Sequence, residues 1–478
     1  MKPDMALSSE SNIVLGWRDE APTWLTRLLD ALMIILCGVL LGAAYFISPF
    51  AAIVLCLGLV LLTVMYRQPI VMCFILVIST VLFSGMKRGA ILPWMIPNEP
   101  ILGLFFILAI PYMLSRRRMF WQTPKVLWFV QIIMIAGSVL LPLVAFYYRN
   151  VVLDTAGYLK IFAPVQYILL FWLFRMIPKN ERERQGLIDL LLIGAGVVAF
   201  IGLLQAFSVG PVVDLMARFY PSNQEAEATQ AMRVTSLLSV WNGLGTYLTV
   251  CLLMARAQMN LLQSKARLIL LYVIAFLCTC CLLASGSYAG LIGLVVGLGI
   301  IEFYDRKENP ATRRMSLILL GGLLAAAIPL SSLIFYRANY QFAGGGVIPS
   351  SLAFRFKIWD QIYIPLISKY WLWGYSLNLS TLGWQWAESQ YIFAILRGGI
   401  FSLLASILWV VLALVWLFFS RHRMNGTSKS MNAALFAVLI VLTLMGFTNT
   451  VFTYSGAADY LWIMLGLVTG DMGEENKK

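Results

Sequence analysis

Apolar residues fall in long blocks along this chain, with short polar clusters between them. "LLDALMIILCGVLLGAAYF" stands near the start and "FSLLASILWVVLALVWLFF" near the end. A helix of about 20 such residues matches the hydrocarbon thickness of a bilayer. Read this way, the chain predicts about fourteen spans, at 28–47, 51–66, 70–86, 101–115, 126–147, 157–177, 186–207, 237–255, 268–285, 288–304, 316–335, 391–420, 432–449 and 457–470.

Composition agrees. The 478 residues are 60% apolar and only 12% charged, with a mean hydropathy of +0.83. That cannot supply the wettable surface a soluble protein of this length needs. The expected fold class is an all-α polytopic integral membrane protein. The first thirty residues, with Ser9, Glu10, Arg18, Asp19 and Glu20, lack the ordered features of a removable signal peptide. Cys37, Cys56, Cys73, Cys251, Cys278, Cys280 and Cys281 all lie inside apolar blocks, where packing is the expected role. The single histidine, His422, sits in "RHR" beside a helix end, so the sequence offers no metal-ligand cluster.

Charge sets the orientation. With the N-terminus inside, about 24 of the 35 Lys and Arg fall on the cytoplasmic side, in clusters such as 116–118, 179–184, 256–267, 306–314 and 421–429. Both termini are then cytoplasmic. The chain divides into a cytoplasmic segment (1–27), a first group of spans (28–235) with an outer connection at 208–235, and central spans (236–335). A long periplasmic loop (336–390), C-terminal spans (391–470) and a cytoplasmic tail (471–478) follow. Long connections on one face point to function, because helix packing alone needs only short ones.

Outer cations run against the insertion bias. Arg218 and Arg233 lie in the first outer connection, and Arg337, Arg355, Lys357 and Lys369 in the second. A positive field beside a lipid surface suits a phosphorylated lipid, since guanidinium forks grip phosphate oxygens in pairs. Snorkelling to headgroups is the plainer alternative for any one of them. Membrane lipid is an expected partner and nucleic acid is not.

Three outer stretches then line up: "RVTSLLSVWNGLGTYL" with Arg233 and Asn242, "SGSYAG" at 285–290, and the run from "RFKIWDQIYIPLISKYWLWGYS" to "ESQYIFAILRGGI". Together they resemble the O-antigen ligase and Wzy-type polymerase superfamily over roughly residues 230–420. The matching features are Arg233 running toward Asn242, and Arg355 four residues before Trp359 with Pro365 and Gly374 beyond. Setting Tyr391 on the family's aromatic position puts Gly399 and Ile400 on its Gly-Ile pair without a gap. Glu388 then stands where the family has histidine, and Tyr288 follows Ser287 where the family commonly has arginine.

The resemblance implies a GT-C-like, metal-independent glycosyltransferase without a cofactor, in the bacterial inner membrane with its site facing the periplasm. Its donor would be an undecaprenyl-pyrophosphate-linked oligosaccharide, and a chain-length regulator is a partner the family implies. The branch favoured is the polymerase. The ligase, transferring to lipid A core or another acceptor, is the alternative, and a lipid-linked oligosaccharide flippase is a reading from another class. Departing diphosphate needs a cationic clamp and the incoming hydroxyl needs a base. Arg233 and Arg355 are the expected clamp, with Lys357 or Arg337 assisting, and Glu388 is the expected base. Lys160, Asn242, Trp359, Tyr391, Arg397 and Tyr288 complete the expected substrate-binding set. An acid just before a helix also favours the dipole, so Glu388 has a structural reading as well. Arg397, nine residues on, lies nearly opposite Glu388 on a continuous helix. It is expected to line a cavity or hold helices together. The loop aromatics Trp359, Tyr370, Trp371, Trp373 and Trp384 suit either sugar stacking or loop packing.

Overall fold

The computed structural model describes residues 31, 58 and 63–470, apart from 93–94, 150–154, 221–232, 239, 260, 262–263, 306–309, 343–347, 376–386 and 425. The spans expected at 28–47 and 51–66 lie largely outside the described residues. Within them the chain is an all-α membrane protein. The helices in order are α1 (Ile70–Phe83), α2 (Asn98–Ser115), α3 (Lys125–Tyr148) and α4 (Thr155–Met176). Next come α5 (Glu181–Ala206), α6 (Gly210–Phe219), α7 (Trp241–Gln258), α8 (Lys265–Ser285) and α9 (Tyr288–Asp305). The bent pair α10 (Pro310–Ala327) and α11 (Ser331–Gln341) precedes the short helices α12 (Ser350–Ile358) and α13 (Ile364–Tyr370). Then follow α14 (Gln390–Ser420), α15 (Gly426–Met445) and α16 (Ala457–Gly470).

Helix ends follow local chemistry. Asn180 accepts the Glu183 N–H at 2.9 Å to open α5, with Glu181 and Glu183 in its first turn facing the dipole. Ser264 accepts the Arg267 N–H at 3.3 Å to open α8, and Gly286 at φ +65° closes it. "SGSYAG" thus makes the tight hairpin that its small residues suggest.

Six helices among the described residues are long and apolar enough to cross a membrane, or seven if the bent pair is one span. Several expected spans are shorter helices here, among them α1 and α16 with 14 residues each. The span expected at 316–335 is not straight. Its two parts are bent by 82°, and Pro329, which lacks an N–H, stands between them. The segment 336–390, expected as a loop, contains most of α11 together with α12, a π-helical turn at Trp359–Tyr363, and α13.

Packing centres on α7, whose residues from Gly243 to Gln258 are all buried. It touches α8, α9, α15 and α16, while α16 lies on α4, α5 on α8, and α14 on α3. Gly466 lets α16 approach α4 closely: a Cβ there would come within 2.6 Å of the Phe171 carbonyl oxygen. Away from the long connections the bundle is tied by two buried arginines and one half-buried one. Arg256 donates to Glu302 at 2.6 Å and to Ser316 at 2.7 Å, and Arg267 pairs with Asp189 at 2.6 Å. Arg175, fully buried, donates to the carbonyls of Thr469 and Met119 and to the Thr123 hydroxyl. Buried guanidinium groups need such partners, because an unpaired charge in an apolar interior is strongly destabilising. Asp189 and Glu302 therefore act as helix–helix contacts.

The feature that positions the candidate site is a break in α14. Gly398 (φ −149°) and Gly399 (φ +72°) interrupt the helix, so Ile400 N–H cannot reach its normal partner four residues back, the Leu396 carbonyl. The turn after α13 supplies both missing partners. Tyr375 N–H donates to Leu396 O at 2.6 Å, and Ile400 N–H donates to Trp371 O at 2.8 Å. Main-chain groups away from water must be satisfied, and here a neighbouring stretch of backbone does it.

Candidate functional site

The head of α14 is assembled from three directions. Gln390 N–H donates to the carbonyls of Gly446 at 2.8 Å and Asn449 at 3.1 Å, and its side-chain oxygen accepts Phe452 N–H at 3.3 Å. The segment after α15 is thereby bolted to residues 389–390. From the other side, Ile358, Tyr363, Ala387 and Leu396 form a small core of their own with Trp359, Ile367 and Phe393. That core seats α12 over the approach to α14.

Arg355 and Trp359, four residues apart, share one face of the helix. Trp359 Nε1 donates to Ala387 O at 2.9 Å, and Arg355 reaches the next residue, Glu388. The Arg355 Nε and Nη2 atoms each lie 3.0 Å from Glu388 Oε2. With 16% and 12% exposure, the pair escapes most of the screening that limits an exposed ion pair to about 1 kcal/mol. Both contacts fall on one oxygen, Oε2. Glu388 also has φ +51°, a left-handed backbone that costs a non-glycine residue on the order of 1–3 kcal/mol. The helix-end reading alone does not require that strain, since the α14 helix begins two residues later.

Arg233 lies 4.8 Å from the ring centroid of Trp241, the first residue of α7. Two residues on, Gly243 faces Tyr454, and a Cβ there would lie 3.6 Å from Tyr454 Cγ. Tyr454 in turn feels the charges of both Glu388 and Arg355. The half-buried Tyr454 is thus set against Gly243 and within the field of the Arg355–Glu388 pair, while Trp241, about 200° around α7 from Gly243, holds Arg233 on another face. Burial, then the Glu388 charge, push the phenols of Tyr454 and Tyr363 well above their ordinary range, with Arg355 and Thr450 pulling Tyr454 partly back. Both stay protonated through neutral pH and offer hydrogen bonds rather than negative charge. Neither was expected to contribute; the sequence marks them only as tyrosines in outer connections.

The other expected residues are more scattered. Arg337 is buried and donates to the carbonyls of Leu283 at 3.0 Å and Ala284 at 2.7 Å, while feeling the Arg233 charge. It closes the end of α8, where a cation answers the exposed carbonyls. This corrects the expectation that it assists the clamp. Lys357 is exposed and stands about 200° around α12 from Arg355, so the two do not share a face. Tyr288, 41% exposed, begins α9, and Asn242 is half-buried in the first turn of α7, its carbonyl accepting from Thr246 at 2.8 Å. Tyr391 donates to Thr443 O at 2.7 Å and stacks on Phe447, which fastens α14 to α15. Lys160 falls in α4, and its side chain lies outside the described residues.

Arg397 is buried, does not meet Glu388, and donates to Ile161 O at 3.4 Å while lying over Phe393. It lines a cavity of about 60 Å³ with Tyr167, Gln390, Ser402 and Ser406. That volume suits a few waters and is too small for a sugar. Among the loop aromatics, Tyr370 lies beneath Arg149 at 4.1 Å, and Trp373 sits 6.1 Å from Tyr148 and 6.3 Å from Phe401. Packing accounts for these two; Trp371 is 54% exposed, and Trp384 lies outside the described residues. Among the described residues, no three His, Cys, Asp or Glu side chains gather closely enough to hold a metal ion.

No protein-family model matches the chain, and no curated protein matches its sequence.

Proposed function

We propose that this protein is a polysaccharide polymerase of the bacterial inner membrane. It transfers glycan from an undecaprenyl-pyrophosphate donor to a sugar hydroxyl of a second lipid-linked repeat unit. In this reading the chain is GT-C-like with about fourteen spans, both termini are cytoplasmic, and the site around Glu388 faces the periplasm. The observation that carries the reading is the half-buried Arg355–Glu388 pair at the head of α14. It unites a base and a guanidinium able to grip a diphosphate. The arginine clusters at the opposite end of the bundle support the orientation.

Glu388 takes the proton of the acceptor hydroxyl as the hydroxyl oxygen attacks the anomeric carbon. The bond from that carbon to the diphosphate breaks, and the diphosphate leaves with the bonding electrons. Arg355 and Arg233 neutralise the departing charge. Arg355 serves two partners in turn: it orients Glu388 at rest, and a bound diphosphate competes for the same fork. Arg355→Ala should therefore weaken donor affinity about tenfold or more, whereas Arg355→Lys should recover only part, because a point charge lacks the fork. Equilibrium binding of a polyprenyl diphosphate in detergent checks this, and unchanged affinity in the Ala variant removes Arg355 from the clamp.

Purified protein incubated with a lipid-diphosphate oligosaccharide, followed by product sizing, tests the activity. A ladder of products means polymerase and a single transfer means ligase. Translocation in liposomes without a covalent product means flippase.

A further inference from the structure

We infer that the cavity beneath the head of α14 is a binding site for a small inorganic anion of chloride size, with Arg397 as its charged ligand. The inference stands apart from the glycosyltransferase reading and borrows nothing from it.

Three helices lose their regular form where they meet this cavity. α3 makes a π-helical turn at Ala136–Leu140, and Gly137 and Ser138 from that turn line the space. α4 contributes Pro164, which has no N–H to give to the turn before it. α14 contributes Arg397 and Ser402 from either side of the Gly398–Gly399 break. Irregular backbone is tolerated at membrane depth where protein covers it or a polar cavity receives it. Interrupted helices of this kind surround the ion sites of transporters.

The side chains around the space favour negative charge. Arg397 is 8% exposed, and its hydrogen bond to Ile161 O at 3.4 Å and its contact with the Phe393 ring involve neutral groups. Gln390 lines the cavity too; its Oε1 accepts the Phe452 N–H, so its NH2 end is what it can offer a ligand. Ser138 brings a hydroxyl. Ser402 and Ser406 donate their protons to Gly137 O and Ser402 O, so they shape the wall rather than hold the ligand. Among the described residues that line the cavity, none is acidic. The guanidinium would repel a cation there, whereas an anion meets one charge and two neutral donors.

Size selects among anions. A volume of about 60 Å³ holds a few waters, or a halide with a water beside it, and excludes a sugar phosphate or a diphosphate. Gln390 and Arg397 lie about two turns apart on α14. One ion between them braces the stretch of helix that carries Glu388 at its head.

Thermal unfolding of purified full-length protein in detergent tests this, with sodium chloride exchanged stepwise for sodium gluconate at constant ionic strength. Gluconate is too large for the cavity, so general screening stays fixed while the small anion is withdrawn. The unfolding midpoint should rise with chloride and level off, by about 2 °C or more at the plateau, and bromide should act alike. Arg397→Gln should abolish the rise. A midpoint that does not distinguish chloride from gluconate overturns the inference, as does an undiminished chloride response in the Gln variant. If that variant does not fold, Ser138→Ala takes its place. Half-saturation should then need about threefold more chloride or beyond, and an unchanged dependence overturns the site. The readout involves no glycan transfer, so failure here leaves the glycosyltransferase reading standing, and a protein inactive on every lipid-diphosphate donor leaves the anion site standing.

Discussion

Glu388→Gln is expected to lower glycan transfer by about 10²–10⁴-fold, with protein level and donor binding close to wild type. The amide nearly matches the carboxylate in shape, so the left-handed turn at φ +51° and the Ala387 contact with Trp359 are retained. What disappears is the group that accepts a proton and the negative charge facing Arg355. Freed from that charge, Arg355 meets a diphosphate without a competitor, so donor affinity should hold or rise slightly. This combination of lost turnover and preserved binding separates a base from a structural acid, whose loss would disturb both. Product sizing and equilibrium donor binding on one preparation decide it. Normal polymer from the Gln variant would remove Glu388 as the base.

The second large effect is structural. Gly399→Ala should destabilise the protein by more than about 3 kcal/mol, or prevent its accumulation, because two penalties act together. A Cβ there would overlap the Leu372 carbonyl oxygen, a backbone atom that cannot step aside as a flexible side chain could. The φ of +72° adds the left-handed cost for any residue with a side chain. Gly374→Ala should act in the same direction. Its Cβ would come within 2.8 Å of the Gly398 and Gly399 nitrogens and of the Leu396 oxygen. Unfolding in detergent followed by circular dichroism measures both, and wild-type stability in the Gly399 variant would contradict the described break in α14.

Much of this architecture is legible in the sequence, for a simple reason. Spans such as 186–207, 268–285 and 391–420 are long apolar blocks with charged ends, and α5, α8 and α14 follow them within a few residues. The Gly286 hairpin is equally plain. The 336–390 segment was harder to read, because its helices are short and are held by contacts with α14 rather than by their own periodicity. Arg337 misled because a cation near an outer loop looks like a ligand; only the location of the α8 carbonyls shows it to be a cap. At the site, Arg355, Trp359 and Glu388 were identified from spacing and resemblance, and the structure joins them through two consecutive residues, Ala387 and Glu388. Tyr454 left no such mark. Its place depends on the meeting of Gly243 in α7 with the segment after α15, some 200 residues apart, and no local pattern encodes it.

The interrupted helix also bears on the order in which the molecule is made. The chain runs from Trp371 to Tyr375 before it reaches Leu396 and Ile400, so the ribosome emits the splint before the fracture. Only a short tether joins the two, and closing it carries a modest entropic penalty that grows slowly with length. The break in α14 can therefore set as soon as the helix emerges, whereas the Glu388 end waits for α15 and the segment after it, which hold Gln390 and Tyr391.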